Sequence, residues 1–404
     1  MKSFLWQQKF WFITLSLFCL LALSLAACSN NGSATGSSKP TSTAGAGANP
    51  TSTPSSNPIV KLGAQPCPEK VKDPAHWDPI IPTHSPDSLV KSVSCGYLMG
   101  TPTLQALITV EKGESGVMLD VYVYTHITDA NPTRLFKLQD LIHGDAKISG
   151  YNTVLTKEVD QNSSLNKGQP GTALLPDLFR EFKWSDGAGT LVQTVFPGLY
   201  PNMTRYQAEA DQEEVNQGHQ PWKLDAVQTA QHFATSILKM NSASSVTVFS
   251  GGGPHDLNAV LHVKLQLNGA GTFPPVKLTL SRLEANINGG IWEVIAVESE
   301  NFSITSPSSH ERLDSPVTIT GSGVAFEGQI GIVRVLDHLY NDIGHAFAMS
   351  QNTDSGFGAG TFSTPVKYDA SFHGGSQEGI LALYHQGGAE SDFGVIMVKV
   401  LVQA

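Results

Sequence analysis

The amino-acid sequence predicts an α+β fold followed by an all-β one, with helix-on-antiparallel-sheet packing in the middle of the chain and a β-sandwich at its end. Three observations carry this. Only 15% of the 404 residues are charged, against roughly 25% in an ordinary soluble protein, and 38 Gly and 23 Pro supply turns rather than long helices. Two segments of helical period between residues 206 and 238 precede four segments of strand period that end near residue 299. The last hundred residues alternate in period 2 between Gly-rich turns. Coiled coils and helical bundles are excluded by the same composition. A net charge of −10 argues against a nucleic-acid binder, which needs a basic footprint. No stretch after residue 27 is apolar enough to span a bilayer.

The first element is an address. Lys2 and Lys9 make a positive start, Phe10 to Leu25 is an almost unbroken apolar run, and Leu25-Ala26-Ala27-Cys28 follows. These four residues resemble the lipobox of bacterial lipoproteins. The resemblance implies that residues 1–27 are a signal peptide, that the Cys28 thiol carries diacylglycerol, and that the new amine at Cys28 is acylated too. The implied location is the extracytoplasmic face of the cell membrane, held by a lipid anchor. Two or three acyl chains, at about 0.8 kcal/mol per buried methylene, hold a protein there without a spanning helix. Loss of Lys2 and Lys9 leaves 23 basic against 35 acidic side chains, a net −12, which favours a body standing off an anionic surface.

Residues 28–58 read as a Ser/Thr/Gly/Pro tether. After Cys28 they contain one charge, Lys39, and no large apolar residue, so they cannot bury enough surface to offset their ordering entropy. Thirty such residues span about 30 Å as a coil and on the order of 100 Å when stretched. Of the four cysteines, Cys19 lies in the leader and Cys28 is the lipid position. Cys67 and Cys95 remain, an even pair in an exported chain, and read as a disulfide rather than a metal site or a nucleophile.

Residues 59–200 read as a mixed, β-rich region. VMLDVYVYTHI alternates through Met118, Leu119, Val121, Val123 and Ile127, and LQALITV makes a hairpin partner across EKGESG. YNTVLTKEV and TLVQTVF are further strands. LFKLQDLI, with apolar residues three and four apart, predicts a short helix ending at Gly144.

Residues 201–301 read as a helix-sheet module. YQAEADQEEVNQG predicts a helix stopped by Gly218. A second helix follows Asp225, which with Gln228 forms a capping-box variant. Val227, Ala230, Ala234, Ile237 and Leu238 give it one apolar face, and Lys239 suits its C-terminal dipole end. SVTVF, AVLHVKLQL, PVKLTLSRL and IWEVIAVES then read as an antiparallel meander. Cystatin-like and nuclear-transport-factor-like exported modules share this pattern.

Residues 302–404 read as about seven short strands, which suggests an immunoglobulin-like sandwich. The Cys…Trp…Cys spacing of antibody domains is missing. Ser306-Pro307, then Ser315-Pro316-Val317 with Gly321, then Ala325-Phe326-Glu327-Gly328, together with Phe362 and the terminal VIMVKVLV, resemble the immunoglobulin-like domain of bacterial spore germination. The resemblance covers a quarter of the chain and implies envelope or sporulation-related work. Within it Pro307, Ser315, Pro316, Gly321, Phe326, Glu327 and Gly328 read as structural. Phe326 is expected to plug the core, and Glu327 to bond a neighbouring turn rather than a ligand.

Signals for chemistry are few. The chain has 13 histidines but no His-Glu-x-x-His, no Cys-x-x-Cys and no pair of histidines on one helix face, so neither a metal nor another cofactor is expected. SGGGPHD, with His255 and Asp256, lacks the Gly-Lys-Ser/Thr of a phosphate loop and reads as a hairpin turn. Ser236…Lys239 and Ser164…Lys167 match Ser-x-x-Lys without the companion motifs of penicillin-recognising enzymes. Trp77, Trp184, Trp222 and Trp292 read as core rather than as a sugar-stacking platform. The expectation is therefore a non-catalytic, lipid-anchored envelope protein whose sandwich binds or spaces. Its expected partners are the membrane and other envelope proteins or cell-wall polymer. The alternative is a solute-binding or sensing lipoprotein with a pocket in the α+β region. A wall hydrolase or transferase with an unrecognised site is the third possibility.

Overall fold

The computed structural model describes residues 60–81, 88–113, 117–240, 245–264, 274–284, 289–351, 356–372, 374–386 and 393–404. The leader, Cys28 and the tether lie outside the described residues. Two single-turn helices open the described chain, α1 (Glu69–Lys72) and α2 (Pro74–Trp77). The Asp73 carboxylate caps the second by accepting from the Ala75 N–H at 3.0 Å, satisfying one of the donors a helix start leaves open. Strands β1 (Leu89–Gly96), β2 (Gln105–Lys112), β3 (Met118–Thr125) and β4 (Thr133–Ile142) then form an antiparallel sheet in that order. The predicted hairpin is present, with Ala106 opposite Tyr124 and Lys112 opposite Met118. Trp77 is fully buried under this sheet among Val71, Ile108 and Tyr124. Cys67 and Cys95 form the expected disulfide, with Cα atoms 5.2 Å apart.

LFKLQDLI is a strand and not the expected helix. It forms β4 along the free edge of β3, and its register slips twice, between Leu119 and Val121 and between Val123 and Tyr124. Each slip exchanges the faces of the residues beyond it, so the apolar positions no longer alternate strictly and mimic helical spacing. Asp140 takes a left-handed φ of 62° at this irregularity. Its N–H donates to the Asp120 carboxylate at 3.0 Å.

A second antiparallel sheet follows, β5 (Asp145–Ile148), β6 (Val154–Glu158), β7 (Leu178–Ser185) and β8 (Thr190–Thr194). Leu119, Val121 and Val123 of the first sheet pack on Ile148, Val154 and Phe182 of the second.

Both helices expected in the middle of the chain are present. Helix α3 (Arg205–Asn216) is capped by Thr204, and Gly218 ends it at φ 90°, a left-handed geometry that costs glycine little. Helix α4 (Ala226–Ser236) is capped by Asp225, whose carboxylate accepts from the Gln228 N–H at 2.9 Å. The meander follows as β9 (Ser245–Gly251), β10 (Asn258–Lys264), β11 (Val276–Arg282) and β12 (Trp292–Glu298). Ala230, Phe233 and Ala234 of α4 fill the face made by Leu261, Val263, Leu278, Leu280 and Val294. Burial of one such large side chain contributes roughly 1.5–3 kcal/mol.

The C-terminal strands are β13 (Ser303–Ser306), β14 (Arg312–Leu313), β15 (Val317–Ala325), β16 (Gln329–Leu336), β17 (Asp342–Met349), β18 (Gly358–Val366), β19 (Ser376–Gln386) and β20 (Phe393–Gln403). One sheet runs β13-β15-β18, and facing it lies β17-β16-β19-β20, with β14 parallel to β20. Ile319, Phe362 and Val366 of the first meet Val333, Val335, Leu381, Leu383 and Val400 of the second. This is the sandwich the alternation predicts. Its larger sheet does not stop at residue 302: β12 pairs with β20 through Val297 and Met397, so meander and sandwich share one sheet from β17 to β9. Chain composition cannot announce such a junction, because it rests on one cross-strand pair about a hundred residues apart in sequence. Among the described residues no helix is long and apolar enough to cross a membrane.

Candidate functional site

The period-2 rule places Val333, Val335, Leu381 and Leu383 in the sandwich core, and therefore turns Ile332, Arg334, Ala382 and Tyr384 to the outer face of the same sheet. Most of that outer face is covered. Ile380, Ala382, Val395 and Met397 lie under Leu199, Met203 and Leu238. Toward β16 and β17 the cover ends in a half-open cleft of about 860 Å³. Its helix-side wall is Ser236, Ile237 and Leu238, where α4 stops and Lys239 takes a left-handed φ of 56°. Its floor is Ile332, Arg334 and Tyr384, and Gln329, Asn341 and Asp342 stand at its edge.

Register fixes the floor. Tyr384 lies directly opposite Ile332 across β19 and β16, and Ile332 opposite Phe347 across β16 and β17. A ribbon of apolar and aromatic groups therefore crosses three strands, and Phe347 at its outer end is 58% exposed. Beside it runs a polar row, with Arg334 opposite His345. The Arg334 guanidinium pairs with the Asp342 carboxylate, which His345 also approaches at 3.1 Å. Arg334 stands over the Tyr384 ring, 5.8 Å from its centroid. Burial pushes the Tyr384 hydroxyl up to about 12, and Arg334 opposes that rise.

Behind the cleft a buried polar seam fixes the sandwich to the body. Lys399 on β20 pairs with Glu378 on β19 at 2.8 Å, and both are 1% exposed. The ammonium also donates to the carbonyls of Gly198 at 2.8 Å and Met203 at 2.5 Å. Glu378 accepts from the Phe196 N–H at 3.2 Å. Burial raises the Glu378 carboxyl to about 7, and Lys399 pulls it back. Burial lowers the Lys399 ammonium, and Glu378 opposes this. Arg180 and Gln193 donate to the Ser376 carbonyl at 3.1 and 3.0 Å. Asn341 donates to Ser164 at 2.9 Å, and Ser371 to Asp160 at 2.5 Å. Arg205 bridges Glu181 and Glu284 at 2.9 Å each, tying α3 to β7 and to the segment after β11. Glu293 is wholly buried and accepts from the Asn202 backbone and side chain.

The residues singled out in sequence are dispersed, and their roles are mechanical. Pro307 is buried just after β13, and the peptides before Pro307 and Pro316 are cis. The Ser315 hydroxyl donates to the Tyr368 carbonyl at 2.8 Å and accepts from its N–H at 3.0 Å. Gly321 is required by space: a Cβ there would sit 2.1 Å from the Ser303 carbonyl oxygen and 2.7 Å from Phe362. Glu327 and Gly328, at φ 51° and 83°, form the two-residue turn between Phe326 and Gln329, whose backbones exchange hydrogen bonds of 2.9 and 3.0 Å. Positive φ at both central positions matches hairpin twist.

Phe326 is not a core plug. It is 40% exposed and meets Phe357 edge-to-face at 5.3 Å, because the turn carries it past the end of the sandwich. The core position belongs to Phe362, 2% exposed. At the neighbouring turn the backbone makes the described bonds, Gly328 N–H to the Gly356 carbonyl at 2.6 Å, and Glu327 is exposed.

The other sequence candidates separate in the same way. Trp77 and Trp292 are fully buried, Trp184 bonds Asp186 at 2.7 Å, and Trp222 stacks on His232 at 4.1 Å. His255 and Asp256 sit in the β9–β10 turn, where Asp256 accepts from the Gly253 N–H at 2.8 Å. Ser164 accepts from Asn341, and Ser236 bonds Tyr200. Among the described residues no three His, Cys, Asp or Glu side chains converge as a metal site requires. Arg334, Asp342 and Tyr384 were not singled out. The sequence signal for Arg334 is the alternation in QIGIVRVLD, which gives β16 a partly polar outer face, whereas Asp342 and Tyr384 lie on β17 and β19 outside that segment.

The fold and strand order define the C-terminal part as an immunoglobulin-like β-sandwich docked on a larger body. Residues 301–389 match the family model of the immunoglobulin-like domain of bacterial spore germination. The match stops short of β20, the strand that closes the sandwich and carries Lys399. A comparison with curated proteins finds no match.

Proposed function

We propose that this protein is a lipid-anchored, outward-facing and non-catalytic envelope protein, whose C-terminal domain serves as a binding or spacing module in germination-related envelope assembly. The observation that carries the reading is the match of residues 301–389 to the spore-germination domain. The filled meander supports it. Phe233 and its neighbours occupy the face where a solute pocket of the α+β region would lie, which favours a scaffold over an enclosed carrier. The shared sheet and the Lys399–Glu378 seam support a spacer that transmits position, since a domain held this way cannot swing freely. Leu25-Ala26-Ala27-Cys28 supports the anchor.

The test is the state of Cys28 in native material. Mass spectrometry is expected to find the leader removed and Cys28 acylated, and Cys28→Ala is expected to release the protein from the membrane fraction. An unmodified Cys28 with the leader retained would refute the anchor. Loss of the protein with no germination or envelope phenotype would refute the module.

A further inference from the structure

We propose that the cleft between the end of α4 and the outer face of β16 and β19 is a binding site for a neutral oligosaccharide. This deepens the function proposed above and rests on it only for where such a glycan would be met.

The cleft is the place where an otherwise covered sheet face is left open, and its volume of about 860 Å³ falls within the range of small-molecule sites. Its floor carries the two kinds of surface that a pyranose presents. The Tyr384 ring and Ile332, continued by Phe347 across the strand register, offer an apolar strip to the C–H face of a sugar. Alongside, Arg334 and Asp342 form a donor-acceptor pair. A vicinal diol answers such a pair, because each hydroxyl both donates and accepts. Gln329 at the rim adds an amide of the same dual character.

Charge selects the class further. Asp342 balances Arg334 and is shared with His345, so the floor itself is close to charge-neutral, and the cation beside it is Lys239 on the helix-side wall. The Tyr384 hydroxyl belongs to a residue of the same lining. A purely apolar ligand would leave this hydroxyl and the Arg334–Asp342 pair desolvated without replacement, at roughly 1–3 kcal/mol for each unsatisfied group.

The experiment is calorimetric titration of the full chain, held in a detergent without a sugar headgroup, against trimers of glucose and of N-acetylglucosamine. Binding of at least one trimer with Kd below about 1 mM is expected. Tyr384→Ala is expected to weaken it at least tenfold, and Arg334→Gln several-fold. Tyr384→Phe, which keeps the ring and removes only the hydroxyl, should retain the fold and weaken binding several-fold. Thermal melting of each variant separates loss of binding from loss of structure. Absence of binding by both trimers up to about 10 mM overturns the proposal, as does unchanged binding in folded Tyr384→Ala. Preferential binding of an acidic peptide or an alkyl probe in the same cleft overturns it too. None of these outcomes touches the anchor, which the Cys28 measurement reads separately.

Discussion

Lys399 and Glu378 lie diagonally across β20 and β19, 2.8 Å apart and each 1% exposed, on the sandwich face turned toward the body. Their partners, the carbonyls of Gly198 and Met203 and the N–H of Phe196, all belong to the segment that leads into α3. Removing one member leaves an uncompensated buried charge, which costs about 3–5 kcal/mol. Lys399→Met is therefore expected to lower stability by that amount in denaturant unfolding. Lys399→Met with Glu378→Leu should recover most of the loss, leaving roughly 1–3 kcal/mol for the unpaired backbone groups. Equal losses in the single and double variants would show that packing, and not charge, holds the seam.

Glu293 gives a pH signature. Burial raises its carboxyl to about 8 from an ordinary 4.5, against the pull of the Asn202 donors, with Asp211 adding to the rise and Lys223 opposing it. The folded state thus holds its proton more tightly than the unfolded chain. The stability this provides is complete below pH 4.5 and is lost as pH rises through about 8. Glu293→Gln should flatten that component. The difference between wild-type and variant unfolding free energies, measured at intervals from pH 5 to 9, checks it, and parallel pH curves would count against it.

The disulfide ties the segment before α1 to the end of β1 across 28 residues of sequence separation. In the chain-entropy account, closing such a loop stabilises by about 3 kcal/mol. Cys67→Ala with Cys95→Ala should lower the unfolding midpoint accordingly, and added reductant should have no further effect on that variant.

The two phenylalanines of the sandwich should behave oppositely. Phe362→Ala empties the core and is expected to cost about 3–5 kcal/mol. Phe326→Ala removes an exposed ring with one edge-to-face contact and should cost no more than about 1 kcal/mol. Denaturant midpoints of the two variants decide it, and a large loss at Phe326 would restore it to the core.

Gly321 and Gly328 separate space from backbone conformation. Gly321→Ala must displace the Ser303 carbonyl or the Phe362 ring and should cost about 1–3 kcal/mol or more. Gly328→Ala has room, with Met349 at 3.7 Å, and meets only the left-handed φ penalty of roughly 1–2 kcal/mol. Thermal unfolding that reverses this order would contradict the packing of β13 on β15.

Much of the fold is legible in the residues because it rests on local periodicity. The alternation in VMLDVYVYT, the Asp225 cap and the Ser-Pro-Val…Phe-Glu-Gly series each report a structure formed by neighbours in sequence. LFKLQDLI is misleading for a physical reason: bulges in its pairing with β3 spoil the period-2 pattern that alone would reveal a strand. Phe326 is misleading because an aromatic residue beside a turn looks the same whether the turn points inward or out.

The chain's own order of residues determined most of the strands, the caps, the disulfide pair and the likeness of the C-terminal part to the spore-germination domain, since each depends on spacing or on a local motif. Only the tertiary structure decided that β12 joins β20, that Lys399 meets Glu378, and that Arg334, Asp342 and Tyr384 share a cleft with the end of α4. Those relationships join residues up to about a hundred or more positions apart, and are set by which faces find cover when the layers pack.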